Sequence, residues 1–238
     1  MNWREYWEGE SAVYVSERHK SAHYALLADD ILCIAEQDTK PLSTLRVLDF
    51  GCGEALSAGR IAACVGHLTL SDGSAHVRRQ LRSRFEGHAN IAVAAPEDLT
   101  GTKGGDYDFI AVNSVLQYVE KPAAGPLLQS LARMMTVNGR MLVADLLPPR
   151  LSALTDAREL LAFAARDGFL VAAVAGLLRA AVSDYAKIRA RIGLTRYEAD
   201  EFEELAASIG LVARRLPVNV GHNPHRLAFI LQQDQRPG

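Results

Sequence analysis

The sequence predicts an α/β fold: a doubly wound, seven-stranded sheet, mostly parallel with an antiparallel last strand, plus a helical cap insertion. Three observations predict it. Between residues 45 and 146, short aliphatic runs alternate with segments of helical spacing, the rhythm of βαβ units. The runs are apolar along nearly their whole length, as strands covered on both faces are. The last two strand-like runs are separated by so short a turn that they pair antiparallel.

The five leading strands are expected at "LRVLDF" (45–50), "HLTLSD" (67–72), "NIAVAA" (90–95), "YDFIAV" (107–112) and "GRMLVADL" (139–146). Helical spacing places helices at 54–65, 74–86 and 123–136, with Asn138-Gly139 as a helix end turning into the fifth strand. Residues 151–192 are rich in Ala, Leu and Val and hold no strand pattern, so two or three helices are expected there. Thr195, followed three residues later by Glu198, is the expected N-cap of a further helix that stops at Gly210. "LVARRLPVNV" and "HRLAFILQQ" close the chain as strands around the turn Gly221-His222-Asn223-Pro224.

Composition narrows the function classes. With 238 residues, 49% of them hydrophobic, the chain supports one core, or one core and a small appendage. A net charge of −2 gives no broad field for nucleic acid or an acidic membrane. Cys33, Cys52 and Cys64 form no CxxC pair, which points to free thiols in a reducing compartment. "MNWREYWEGE" is not a signal peptide, and the apolar stretch 169–182 is interrupted by Arg179. That stretch falls short of the roughly 20 residues a membrane span needs. The expectation is a cytoplasmic protein with no membrane span and no nucleic-acid partner.

In a doubly wound sheet, ligands bind at the carboxyl ends of the strands, and the suggestive residues gather there. Asp49 and Gly51-Cys52-Gly53 follow the first strand, Asp72 ends the second, and Glu97 and Asp98 follow the third. Asn113 follows the fourth and Asp145 ends the fifth. Asp72 stands about 20 residues past the glycines, the distance of a carboxylate that binds ribose hydroxyls. A dinucleotide fits poorly. The third glycine of G-x-G-x-x-G is Leu56, and Asp49 would place a negative charge beside a pyrophosphate. A ligand with an ammonium welcomes Asp49, and its carboxylate would use the N-terminus of a helix starting near Glu54. An adenosyl amino acid has both groups and no phosphate.

"VLDFGCGEA" resembles motif I of class I S-adenosylmethionine-dependent methyltransferases, and "LTLSDGS" is similar to their acidic second-strand end. "YDFIAVNSVLQYV" resembles their fourth-strand motif. "LLQSLARMMTVNGRMLVADL" resembles their fifth helix and strand, with Asn138-Gly139 in place of the usual Pro-Gly. The closing hairpin matches as well. The resemblance implies a Rossmann-like core that binds S-adenosyl-L-methionine and releases S-adenosyl-L-homocysteine. Asp49, Gly51, Cys52 and Gly53 would hold the methionine portion, Asp72 the ribose and Gly73 the adenine side. The family's acid after the third strand is Ala95 here, which passes the adenine contact to Glu97 or Asp98. Asn113 would lie near the sulfonium end. The implied division is an N-terminal helical lid (1–44), a cofactor-binding core (45–150), a helical cap insertion (151–195) and the C-terminal part of the core (196–238).

The acceptor side is less marked. His222 and Asn223 hang at the cofactor's edge and are candidates to deprotonate and orient an acceptor, or are turn chemistry alone. Tyr14, His19 and His23 precede the sheet with Trp3, Tyr6 and Trp7, and His19 and His23 share a helix face. They line an acceptor site, or belong to a helix docked on the core. Gln117 and Tyr118 line the same site or pack the first turn of a helix. His225 and Arg226 are expected to be solvent-facing or structural. His19 and His23 lack a third ligand at metal spacing, so no metal site is expected. The insertion covers an apolar acceptor, packs on the N-terminal helix or forms a homodimer interface. A small-molecule acceptor with an O or N atom is expected. A catalytically silent cofactor binder, a nucleic-acid or protein methyltransferase and an NAD-dependent oxidoreductase are the rivals. The fourth-strand segment lacks the Asn-Pro-Pro-aromatic signature of some base methyltransferases.

Overall fold

The computed structural model describes residues 14–37, 40–101, 105–180 and 193–234. Its strands are β1 (Arg46–Phe50), β2 (His67–Ser71), β3 (Ile91–Ala94), β4 (Tyr107–Asn113), β5 (Met135–Leu146), β6 (Leu211–Arg215) and β7 (Leu227–Gln233). Its helices are α1 (Glu17–Ala35), α2 (Ala58–Ala62), α3 (Ala75–Arg84), α4 (Lys121–Ala132), α5 (Ala153–Asp167), α6 (Leu170–Ala180) and α7 (Ala199–Ser208). The seven strands form one sheet in the order β3-β2-β1-β4-β5-β7-β6. β1 to β5 pair in parallel, and β7 lies antiparallel between β5 and β6.

Apolar residues at alternate positions fill two layers. Val47, Phe109, Ala111, Leu142 and Ala144 face the layer closed by Ile31 of α1, Ile61 of α2 and Leu81 of α3. Leu48, Ile110, Val112, Met141 and Val143 face the other, under Leu128 of α4 and Phe202 of α7. This is why the strands are apolar throughout. A third, smaller cluster joins Phe163 and Ala164 of α5 to Phe169, just before α6, and to Ala173 of α6, packed against Val15, Ala22 and Leu26. The insertion therefore packs on the N-terminal helix. Side chains cap the helices locally: Ser16 accepts from His19 N, Ser74 from Val77 N and Ser152 from Thr155 N. Gly168 ends α5 at φ 77°.

Several boundaries differ from the sequence expectation, each for a physical reason. The helix expected over 54–65 is only Ala58–Ala62. Gly51, Gly53 and Ala55 take φ of 73°, 56° and 44°, outside the helical region. Thr195 is not an N-cap. Its hydroxyl donates to Val119 O and its N–H to Gln117 O, while Glu198 caps α7 in a capping box with Glu201. Helix α4 stops at Ala132, and Asn138-Gly139 lies inside β5 at an irregularity of the β4–β5 pairing. There the chain doubles back tightly, and a Cβ on Gly139 would lie 2.9 Å from Met135 Cβ. The turn expected at 221–224 is a longer connection from Leu216 to Arg226, because Pro217 has no N–H to continue the β6 ladder. Residues 181–192 of the expected insertion helices, and Trp3, Tyr6 and Trp7, lie outside the described residues.

Candidate active site

β1 delivers the chain at the carboxyl edge into a loop held by its own backbone and by β2. Gly51 N and Cys52 N both donate to Ser71 O, at 2.7 and 3.1 Å. Gly53 N donates to Asp72 Oδ2 (3.0 Å), and Ser74 N to Asp72 Oδ1 (2.8 Å), so the Asp72 carboxylate braces the loop and starts α3. Arg78 supports this turn by donating to the carbonyls of Asp72 and Gly73. A side chain at Gly51 would run into Val115. Over the loop lies α1, whose Tyr24 Oη accepts from Glu54 N at 3.0 Å. A Cβ on Gly53 would come within 2.9 Å of that hydroxyl.

Between α1 and the loop is a cavity of ≈ 40 Å³, whose walls include Tyr24, Leu27, Asp49, Gly51, Cys52 and Asn113. Asp49 makes no hydrogen bond among the described residues, and burial, with the Asp72 charge, pushes its carboxyl up to about 7. Asn113 Oδ1 is buried without a partner. Its amide donates to Ser114 Oγ (3.2 Å), which in turn donates to Asp145 Oδ2 (2.6 Å). Ser114 and Asp145 end adjacent strands with φ of 58° and 64°, two non-glycine residues in the left-handed region. Arg226 joins Asp145 Oδ2 (2.7 Å) to Asp156 Oδ1 (3.1 Å). Burial opposes its charge, but these two carboxylates outweigh that and raise its pKa.

Beyond Tyr24 is a group of rings that the sequence scatters over two hundred residues. Tyr14 lies with His19, His23 and Tyr24 at centroid distances of 5.3, 5.6 and 5.9 Å. His222 lies 5.9 Å from His23 and 6.3 Å from His19. It also stacks on Phe163 at 5.1 Å and 11°. His19 stacks on Phe169 at 4.9 Å and 18°. Burial, then the neighbouring His222, lowers the pKa of His19 and of His23 to about 4. His222 is lowered too, chiefly by burial, with Asp145 opposing. All three rings are thus neutral near pH 7. Val15 N donates to His19 Nδ1, His23 Nδ1 is buried without a partner, and His222 makes no hydrogen bond among the described residues. No three His, Cys, Asp or Glu side chains among the described residues are arranged to hold a metal ion.

The other expected site residues divide. A Cβ on Gly73 would meet nothing within 4 Å, which leaves that face open beside Asp72. Glu97 is exposed on the turn after β3, while Asp98 Oδ2 accepts from Ala95 N of that turn. Gln117 is buried, its amide donating to Ser114 O, and so is the packed-turn alternative. Asn223 is not an open substrate contact. It is buried, donates to Asp156 Oδ1 (2.7 Å) and accepts from His225 N (3.0 Å), fastening the loop to α5. His225 is exposed beside Glu159, whereas Arg226 is a structural hub. Sequence reasoning passed over Tyr24 and left Arg226 without partners. No local pattern marks Tyr24, because only the docking of α1 brings it to Glu54.

Residues 47–139 match the family model described as a methyltransferase domain. An uncharacterized methyltransferase of Mycobacterium tuberculosis is 29% identical over 135 residues, 54% of this chain and 60% of that protein. The ubiquinone biosynthesis O-methyltransferase of Xylella fastidiosa is 30% identical over 109 residues, 44% of each chain. The alignment thus spans no more than about 60% of the length of these relatives. The S-adenosylhomocysteine-bound magnesium protoporphyrin IX methyltransferase of Synechocystis superposes with a TM-score of 0.60 at 15% identity, covering 98% of this chain and 93% of that one. Residues 47–139 thus resemble a methyltransferase domain, and the seven-stranded sheet around them has the fold of the S-adenosylhomocysteine-bound methyltransferase of Synechocystis. Solved neighbours of this fold carry S-adenosylhomocysteine or S-adenosylmethionine, and the residues here fit such a ligand. The loop tolerates no side chain at Gly51, and Asp49 and Asn113 present unpartnered oxygens to the cavity.

Proposed function

We propose that this chain is a methyltransferase that uses S-adenosylmethionine to methylate an oxygen or nitrogen atom of a small molecule. One observation carries the reading: the Asp49 loop and the rings around His222 stand at the same sheet edge, linked by Tyr24, Tyr14 and His23.

Asp49 takes the ammonium of the cofactor's amino-acid end, and the open side of Asp72 takes the ribose diol. Gly73 and Glu97 lie on the adenine side. When bound, the cofactor supplies a methyl group already activated on a sulfonium. The protein's remaining task is to align an acceptor, exclude water and receive a proton. Phe163, Phe169 and the imidazoles of His19 and His23 form a largely apolar wall suited to an uncharged acceptor. Arg226 and Lys20 are each engaged by carboxylates, so neither favours an acidic acceptor. His222 is neutral and unpartnered, and takes the acceptor's O–H or N–H proton as the heteroatom's electron pair forms the bond to carbon.

Calorimetric titration with S-adenosylhomocysteine and with NAD tests the cofactor. Binding of the first alone is expected, and Asp72→Ala should weaken it ten- to a hundred-fold. Binding of NAD alone would return the chain to the oxidoreductases.

A further inference from the structure

The helix expected to receive the cofactor's carboxylate at Glu54 does not start there, and α2 is a single turn. The loop's own N–H groups are committed: Gly51 and Cys52 to Ser71 O, Gly53 to Asp72, and Ala55 to Cys52 O. Glu54 N differs, because its acceptor is a side chain from outside the sheet edge, the Tyr24 hydroxyl at 3.0 Å. Asp49, on the wall of the same cavity, is the partner for an ammonium. In an amino acid the carboxylate sits on the carbon that bears the ammonium, so its oxygens must be satisfied close by. An uncompensated carboxylate there would be costly.

α1 presents the groups to do this on one face. Lys20 lies one turn before Tyr24 and pairs with Glu54 at 2.7 Å, which neutralises the only acid in the loop facing the helix. Its ammonium stands 5.9 Å from the centre of the Tyr14 ring, and Tyr14 is hydrogen-bonded to Tyr24. Burial raises the pKa of both phenols, so both keep their protons. Tyr24 is held against the loop by contact with Gly53, where a side chain would crowd its hydroxyl.

We propose that Tyr24, supported by Tyr14 and Lys20, clamps the α-carboxylate of the cofactor's amino-acid end. The proposal rests on the reading of the cofactor above. In the structure the Tyr24 oxygen fills the hydrogen-bonding position on Glu54 N. A carboxylate oxygen takes over that N–H, and the released Tyr24 O–H turns to donate to the same carboxylate. The cavity of ≈ 40 Å³ holds only about three waters, so α1 moves outward as the ligand enters, carrying the clamp with it.

The test compares two ligands by calorimetry: S-adenosylhomocysteine, and methylthioadenosine, which lacks the amino and carboxyl groups. Tyr24→Phe should bind S-adenosylhomocysteine about tenfold more weakly, equivalent to about 1.4 kcal/mol, and methylthioadenosine within twofold of the wild type. Lys20→Gln, which removes the ion pair with Glu54 but leaves the Tyr24 contact with Glu54 N intact, should show the same selectivity with a smaller loss. Equal losses for both ligands, or no loss for either, would overturn the clamp. Tighter binding of S-adenosylhomocysteine by Tyr24→Phe would also overturn it, by showing that the hydroxyl competes with the carboxylate. A wild-type protein that binds neither ligand would sink the cofactor reading itself and the clamp with it.

Discussion

Asp49 carries a burial cost that the proposed role in binding an ammonium would explain. Burial, with Asp72 nearby, raises its carboxyl from the ordinary range to about 7. Between about pH 4 and 7 the folded chain holds a proton that the unfolded chain has lost. This group's contribution to stability is therefore present at low pH and lost as pH rises through 7. Asp49→Asn removes that loss. It should raise the melting temperature at pH 8 by a few degrees and weaken S-adenosylhomocysteine at least tenfold; an unchanged melting temperature contradicts the buried-charge account. Since an ammonium prefers the ionised partner, wild-type affinity should climb between pH 6 and 8. The histidines titrate in the opposite sense. With a folded pKa of about 4, His23 should stay neutral to about pH 5 when followed by ring NMR resonances, and a midpoint near 6.5 would refute its burial.

At the scale of elements, α5 is held to the sheet by a charge cluster whose members lie 70 and 81 residues apart in sequence. Arg226→Leu would leave Asp145 and Asp156 uncompensated in a mostly buried place. It should cost about 3–5 kcal/mol in denaturant unfolding. Asp156→Asn keeps the Arg226–Asp145 pair and should cost less, with faster amide exchange in α5 as its signature. Equal exchange in the two proteins would show that the cluster does not fasten α5. α6 is fixed by close approach instead: a side chain on Gly176 would collide with Val15. Gly176→Val should destabilise by about 1–3 kcal/mol, measured by the same denaturation, and a neutral result would show that the two segments separate readily.

Across the molecule, the sheet is legible in the sequence because each parallel strand is an apolar run that ends in turn chemistry at one edge. That edge contains Asp49, Asp72 and Asn113, so the side proposed to hold the donor is legible too. Other features depend on contacts distant in the chain. Ala55 takes a left-handed φ and delays α2, which no local pattern announces. Tyr24 meets Glu54 thirty residues on only because of how α1 docks. Asn223 has the composition of a turn, yet its amide is consumed by Asp156 on the insertion. His222 stacks on Phe163, a contact that residue spacing does not encode.

The central claim is transfer of a methyl group to a small molecule, and methyl-labelled S-adenosylmethionine incubated with a fractionated cell extract tests it most directly. The account predicts label in the low-molecular-mass fraction, abolished by Asp49→Asn and reduced at least a hundredfold by His222→Gln. Label confined to protein or nucleic acid, or no transfer from a chain that binds S-adenosylhomocysteine, would contradict it.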